Sequence, residues 1–314
     1  MEGTKEIAGK IAGLDLWEKA LSCNWGVKMK GLAFPYFCTV VRGDGKAVKW
    51  RLLMLDGWKT LGDFVRMRAD RDFGFCSSPM ELAHFELIVF PSGDFIVQRH
   101  DPGFVPRSLT AAEDAIVAKM LWEAYGVMLR LESDGALGAR YANEGAMFAR
   151  FEVEKGVWKD APLAISQPPA HTETVSIPRA LVSKAKDLPF AKDSAVEVDF
   201  RLNPSLVTRE ARPRTVYTLA LWDASAGRPV GACNFSVAPD DGSLADLWQP
   251  LSTVLLHKFV ETGSVPGEIK VVSGRLFRML RPLCIELPVK LSLHDSLPGV
   301  ENFFRSLSTK GNKS

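Results

Sequence analysis

Apolar positions along this chain recur with two periods, and the switches between them mark the elements. FPYFCTVVR and AVKWRLLML flank Gly43-Asp44-Gly45 and predict a hairpin. MELAHFELIVF and DFIVQRH predict a second, turning at Pro91-Ser92-Gly93, and GAMFARFEV with GVWKDAP a third. Ile11, Leu14, Leu16, Trp17 and Leu21 fall at helical spacing and predict a short amphipathic helix over 7–21. Leu61, Phe64 and Val65 predict another helix. Ile116, Val117, Met120, Leu121, Ala124 and Val127 form the apolar stripe of a long one. Thr110 is a natural N-cap for it, with Glu113 completing a capping box. Two hairpin-plus-helix units and a further hairpin predict an α+β domain over 1–161.

Residues 162–175 read as a linker. The stretch APLAISQPPAHTETVSIP holds four prolines and few large apolar residues. A second domain, 176–314, opens with a short helix in IPRALVSKAKDLPF. In AVEVDFRL, Val196, Val198, Phe200 and Leu202 alternate with Glu197, Asp199 and Arg201, which predicts a strand buried on one side. RTVYTLALWD and RPVGACNFSV predict a hairpin around Ser225-Ala226-Gly227. Then come a helix in SLADLWQPLSTVLLHKFVETG, a strand EIKVV, a short helix from Gly274, a strand in CIELPVKL and a helix around 300–307. Tight connections make the first three strands antiparallel. Helical crossovers make the later ones parallel, with Ile269–Val272 expected parallel to Thr215–Trp222.

Composition narrows the function classes. At 314 residues and 46% hydrophobic content, two cores are the natural prior. A net charge of +2 gives no polyelectrolyte footprint, which disfavours nucleic acid as a partner. The N-terminus is charged throughout and no uncharged apolar run nears the roughly 20 residues of a span, so neither a signal peptide nor a membrane helix is expected. Cys23, Cys38, Cys76, Cys233 and Cys284 show no CxxC spacing, which favours reduced thiols and a cytoplasmic location. His84, His100, His171, His257 and His294 are scattered without HxxxH, so no zinc site and no cofactor is expected. GxGxxG, GxxxxGK[ST] and GxSxG are absent.

Two places hold candidate chemistry. Asp223 ends a strand before a small-residue turn. At Val272-Ser273-Gly274-Arg275 a strand runs into a helix, whose first amides and dipole favour an anion, with Arg275, Arg278 and Arg281 as a basic stripe. The proposed topology brings Asp223 and Ser273 to one end of the sheet. The bland alternatives are a turn-capping Asp223 and an N-capping Ser273. Arg99-His100-Asp101 invites an acid–base reading, but strand neighbours face opposite ways, and Asp101-Pro102-Gly103 reads as a turn.

The strand and helix order of the second domain resembles the ribonuclease H-like fold. LALWDASAGRPVGACNF looks like the first hairpin of retroviral-integrase-type domains. That resemblance assigns Asp223 to the first metal-binding acid, puts Ser273 where another acid is expected, and leaves Glu301 and Asp295 near the last helix. Nucleases of this class hold two divalent ions with carboxylates, so the resemblance implies a domain that has lost metal catalysis. HDPGFVPRSLTAAEDAIVAKMLWEA and PGEIKVVSGRLFRMLRPLCIELPVKLSLHDSLPGVENFFRSL also resemble two-domain bacterial proteins catalogued only as domains of unknown function. Together these readings imply a bacterial cytoplasmic protein of unknown function and favour a non-catalytic role over an enzymatic one. They describe a binding or scaffold protein for a small anion or a protein partner, with ligand candidates Asp223, Ser273, Gly274 and Arg275. The alternative is a divergent metal-dependent nuclease.

Overall fold

A computed structural model describes residues 2–15, 17–21, 23–69, 81–142, 145–166, 175–236 and 245–311. The chain divides into two compact units, the first drawn from residues up to 169 and the second from the remainder together with 66–69, the end of a helix, and Pro102–Val105. Each unit combines helices with one mixed sheet.

The first unit runs α1 (Glu2–Ala12), α2 (Trp17–Ala20), β1 (Asn24–Lys28), β2 (Tyr36–Arg42), β3 (Trp50–Asp56), α3 (Gly57–Ala69), β4 (His84–Val89), β5 (Phe95–His100), α4 (Ala111–Ser133), β6 (Ala146–Glu154) and β7 (Val157–Ala164). Its sheet has the order β5-β4-β3-β2-β1-β6-β7, antiparallel except for the β1–β6 pair. All three expected hairpins form. The expected helix over 7–21 is instead two, α1 and α2. β1 was not legible, being five residues with a glycine inside. Gly26 is required there, because a Cβ would sit 2.8 Å from Leu163 Cδ2 and 3.0 Å from Ala149 Cβ.

One face of this sheet carries Trp25, Val27, Cys38, Val40, Trp50, Leu52, Met54, Phe85, Leu87 and Val89. It packs with Ile7 and Ile11 of α1 and Val117, Leu121 and Met128 of α4. The other face presents Phe37, Leu53, Leu55, His84 and Glu86, all buried. Trp58 of α3 lies 4.4 Å from the Phe37 ring on that side. The capping box of α4 is present as expected. The linker expected at 162–175 begins inside β7, where Pro162, Leu163 and Ala164 pair with Phe148, Met147 and Ala146. Residues 167–174 lie outside the described residues.

The second unit runs α5 (Arg179–Lys186), β8 (Phe190–Val207), β9 (Thr215–Asp223), β10 (Arg228–Phe235), α6 (Ala245–Trp248), α7 (Leu251–Thr262), β11 (Val265–Val271), α8 (Gly274–Glu286), β12 (Lys290–Leu293) and α9 (Pro298–Gly311). The sheet order is β10-β9-β8-β11-β12. β8, β9 and β10 are antiparallel, and β8, β11 and β12 are parallel. β9 and β10 are antiparallel neighbours, as expected. β11 is parallel to β8, not to β9, which corrects the direction read from the sequence. The crossover returns the chain beside the first strand of the unit, and the second strand already points the other way.

α5, α7 and α8 bury Val182, Leu255, Phe259, Leu276 and Leu280 against Val196, Val198, Phe200, Leu219 and Leu221. α9 packs on the opposite face, with Leu297 and Val300 against Ala220 and Trp222. The polar side of β8, expected to face solvent, is therefore covered. Glu197 is 7% exposed and Asp199 5%.

Candidate functional site

The residues singled out from the sequence are placed apart. Asp223 closes β9 opposite Val196 of β8, and Val196 pairs with Ile269 of β11. Ser273 follows β11, four residues beyond Ile269, or about 13 Å along the strand at 3.3 Å per residue. Because β9 runs against β11, its C-terminal end lies at the other end of the sheet. Asp223 Oδ1 accepts the amide N–H groups of Ser225 (2.9 Å) and Ala226 (2.8 Å), so the carboxylate closes its own turn. Ser273 N-caps α8, its hydroxyl accepting the Leu276 N–H at 3.0 Å. Gly274 opens that helix, and Arg275 holds its guanidinium 3.7 Å above the Trp248 ring.

The topology carries two carboxylates towards Ser273: Asp295, which follows β12 level with it, and Asp199. Glu197 pairs with Lys270, and Asp199 stands two residues further along β8, level with the exit of β11 into α8. Asp199 is ion-paired with Arg201 at 2.5 Å, and the Arg201 guanidinium stacks 4.2 Å from the Phe304 ring of α9. Burial pushes the Asp199 carboxyl above its ordinary value, the Arg201 charge offsets this only in part, and the charge of Glu301 adds to it. Glu197 accepts the Val300 N–H at 3.0 Å. Further along the same face, Asn203 donates to Thr218 (3.1 Å), which donates to Asn234 (2.7 Å). Alternation marked these residues as polar but could not show that α9 covers them.

In the first unit, the sheet face opposite α1 and α4 gathers a different group. His84 opposes His100, and Glu86 opposes Gln98. Residues two apart on a strand share a face, so all four point the same way. His84, Glu86 and His100 are each at most 1% exposed, and one ligand atom from each lies within 4.8 Å of the others. Among the described residues they are the one such trio of histidine, cysteine or acidic side chains. The two imidazole rings stack with centroids 4.2 Å apart and planes 13° from parallel.

Each of these groups is tied down. His84 Nδ1 bonds the Leu82 carbonyl at 2.8 Å. Glu86 Oε1 accepts from Arg51 at 2.9 Å, and Oε2 meets His100 Nε2 at 2.7 Å and Gln98 Nε2 at 3.0 Å. Gln98 Nε2 also lies 2.9 Å from His100 Nε2. His84 Nε2 and His100 Nδ1 are buried and have no hydrogen-bond partner. Burial and the neighbouring His100 hold the His84 pKa down at about 3, so its ring is neutral. Burial pushes the Glu86 carboxyl up, but the hydrogen bond and charge of His100, with His84 and Arg51, outweigh it and hold Glu86 below its ordinary value. Two of the five scattered histidines of the sequence are thus brought together by strand register. The signal was present in the turn: a hairpin centred on Ser92 sets His84 and His100, each eight residues away, face to face.

His100 and Asp101 do point apart. Asp101 accepts from Arg99 and Arg107, both at 3.0 Å, and Arg107 continues to Glu113 at 2.7 Å.

The molecule is thus a mixed α/β protein of two units, each holding buried polar groups on one sheet face. Residues 181–308 match a family described as Domain of unknown function (DUF6930). No curated protein matches the chain.

Proposed function

We propose that the second unit is a ribonuclease H-like domain that binds a ligand or partner and does not cleave nucleic acid. The strand order β10-β9-β8-β11-β12, with the middle strand of the first three reversed, supports the fold assignment. The observation that carries the functional reading is the Asp199–Arg201 pair. Asp199 is the acid of β8 that stands beside the exit of β11. A two-metal hydrolase needs carboxylates there to hold cations. Here a guanidinium fixed by stacking on Phe304 already neutralises the carboxylate. A buried acid paired in this way has a counter-charge without a cation.

The test is cleavage of single- and double-stranded DNA and RNA with Mg²⁺ or Mn²⁺. No cleavage above a protein-free control is expected from the full chain. Metal-dependent cleavage that Asp199→Asn abolishes would establish the nuclease reading instead.

A further inference from the structure

We propose that His84, Glu86 and His100 bind a divalent first-row transition-metal ion that ties the ends of β4 and β5 together. Three observations carry this.

The first is the His84 ring. Its Nδ1 lies 2.8 Å from a backbone carbonyl, which only accepts, so Nδ1 bears the proton and Nε2 the lone pair. That lone pair is buried without a partner. An orphaned buried acceptor is destabilising. A ring fixed by an Nδ1–H···O=C bond with Nε2 left bare is how metal-binding histidines are oriented.

The second is the contact of Glu86 Oε2, His100 Nε2 and Gln98 Nε2, which stand 2.7, 2.9 and 3.0 Å from one another. The amide nitrogen of Gln98 only donates. Its contact with His100 Nε2 needs a lone pair there, whereas the contact with Glu86 needs a proton there. Turning the Gln98 amide over moves the conflict to its contact with Glu86. With Glu86 ionised, no arrangement of protons satisfies all three contacts. A cation held by the Nε2 lone pair and Oε2 together removes the conflict.

The third is the donor set. Two imidazoles and a carboxylate suit zinc, iron, cobalt or nickel, not magnesium or calcium. Arg51 on Oε1 fixes the carboxylate with Oε2 turned to the histidines. At metal–ligand distances of about 2.1 Å, a 2.7 Å separation of Oε2 and Nε2 subtends roughly 80° at the ion, close to an octahedral angle. An imidazole lone pair lies in the ring plane, so binding turns the His100 ring out of the parallel stack, while the Leu82 carbonyl holds the His84 ring and the strand register is kept. The burial of all three residues makes the role structural.

The test starts from metal-stripped full-length protein titrated with Co²⁺. One equivalent per chain, a visible d–d spectrum, its loss on adding Zn²⁺, and a melting midpoint raised by Zn²⁺ are expected. His84→Ala and Glu86→Gln should each weaken Co²⁺ binding by more than about 10-fold, since even outer partners of a metal site are worth 10- to 100-fold. Should either variant fail to fold, the Co²⁺-loaded parent decides by proton magnetic resonance. Two hyperfine-shifted imidazole N–H signals support the site, and fewer than two overturn it. No Co²⁺ spectrum, no shift of the midpoint, or folded variants that bind like the parent would show a core cluster held by hydrogen bonds alone.

Discussion

Single side chains here are occupied by local structure more often than their types suggest. Asp223 closes a turn with two amides, and an asparagine carbonyl can accept the same bonds. Asp223→Asn should therefore change stability by less than about 0.5 kcal/mol, the usual range of surface substitutions, in urea unfolding. Arg275 stacks on Trp248, so Arg275→Ala should cost about 0.5–1 kcal/mol, the worth of a half-exposed cation–π contact, and shift the tryptophan emission. Glu113 offers a pH test. The hydrogen bond from Arg107 holds its pKa down at about 2, against an ordinary 4.5. The folded chain holds this proton more weakly than the unfolded one. The contribution is therefore complete above about 4.5 and is lost as the pH falls through about 2. Glu113→Gln keeps the capping box and should flatten acid unfolding across that window. The loss at neutral pH should be about 1 kcal/mol at most, because Arg107 is 36% exposed and solvent screens the pair. An unchanged acid limb in the variant would show that the pair is not felt in the folded state.

Elements specified by local chemistry were the legible ones. The three hairpins of the first unit, the capping box at Thr110–Glu113 and the Ser273 cap all follow from turn and cap residues within a few positions. β1 was not legible, since its place between β2 and β6 depends on residues over a hundred positions away. The polar stripe of β8 was read as a solvent face because alternation reports only one layer. The second layer, α9, comes a hundred residues later. That layer docks closely: a Cβ on Gly299 would overlap the Trp222 ring. Gly299→Ala should therefore destabilise the chain by about 1–3 kcal/mol, as overpacking does, and perturb Trp222 fluorescence. A neutral result would mean that α9 lies less tightly on the sheet than described.

At the scale of the whole molecule, the fold decided which candidates meet. Reversing β9 relative to β11 separates Asp223 from Ser273 and puts Asp199 beside the β11–α8 turn instead. Pairing β4 with β5 turns two histidines that looked scattered into one buried group. The sequence held both signals, one in strand order and the other in the hairpin centre at Ser92, but each needs the register before it can be used. Among the described residues no helix is long and apolar enough to cross a membrane.

The central claim is that Arg201, not a metal ion, neutralises Asp199. Its most direct test is Mn²⁺ titration followed by electron paramagnetic resonance, on the parent and on Asp199→Asn. Identical titrations, with no bound Mn²⁺ that depends on Asp199, are the result expected. A bound Mn²⁺ signal in the parent that disappears in Asp199→Asn would contradict the account.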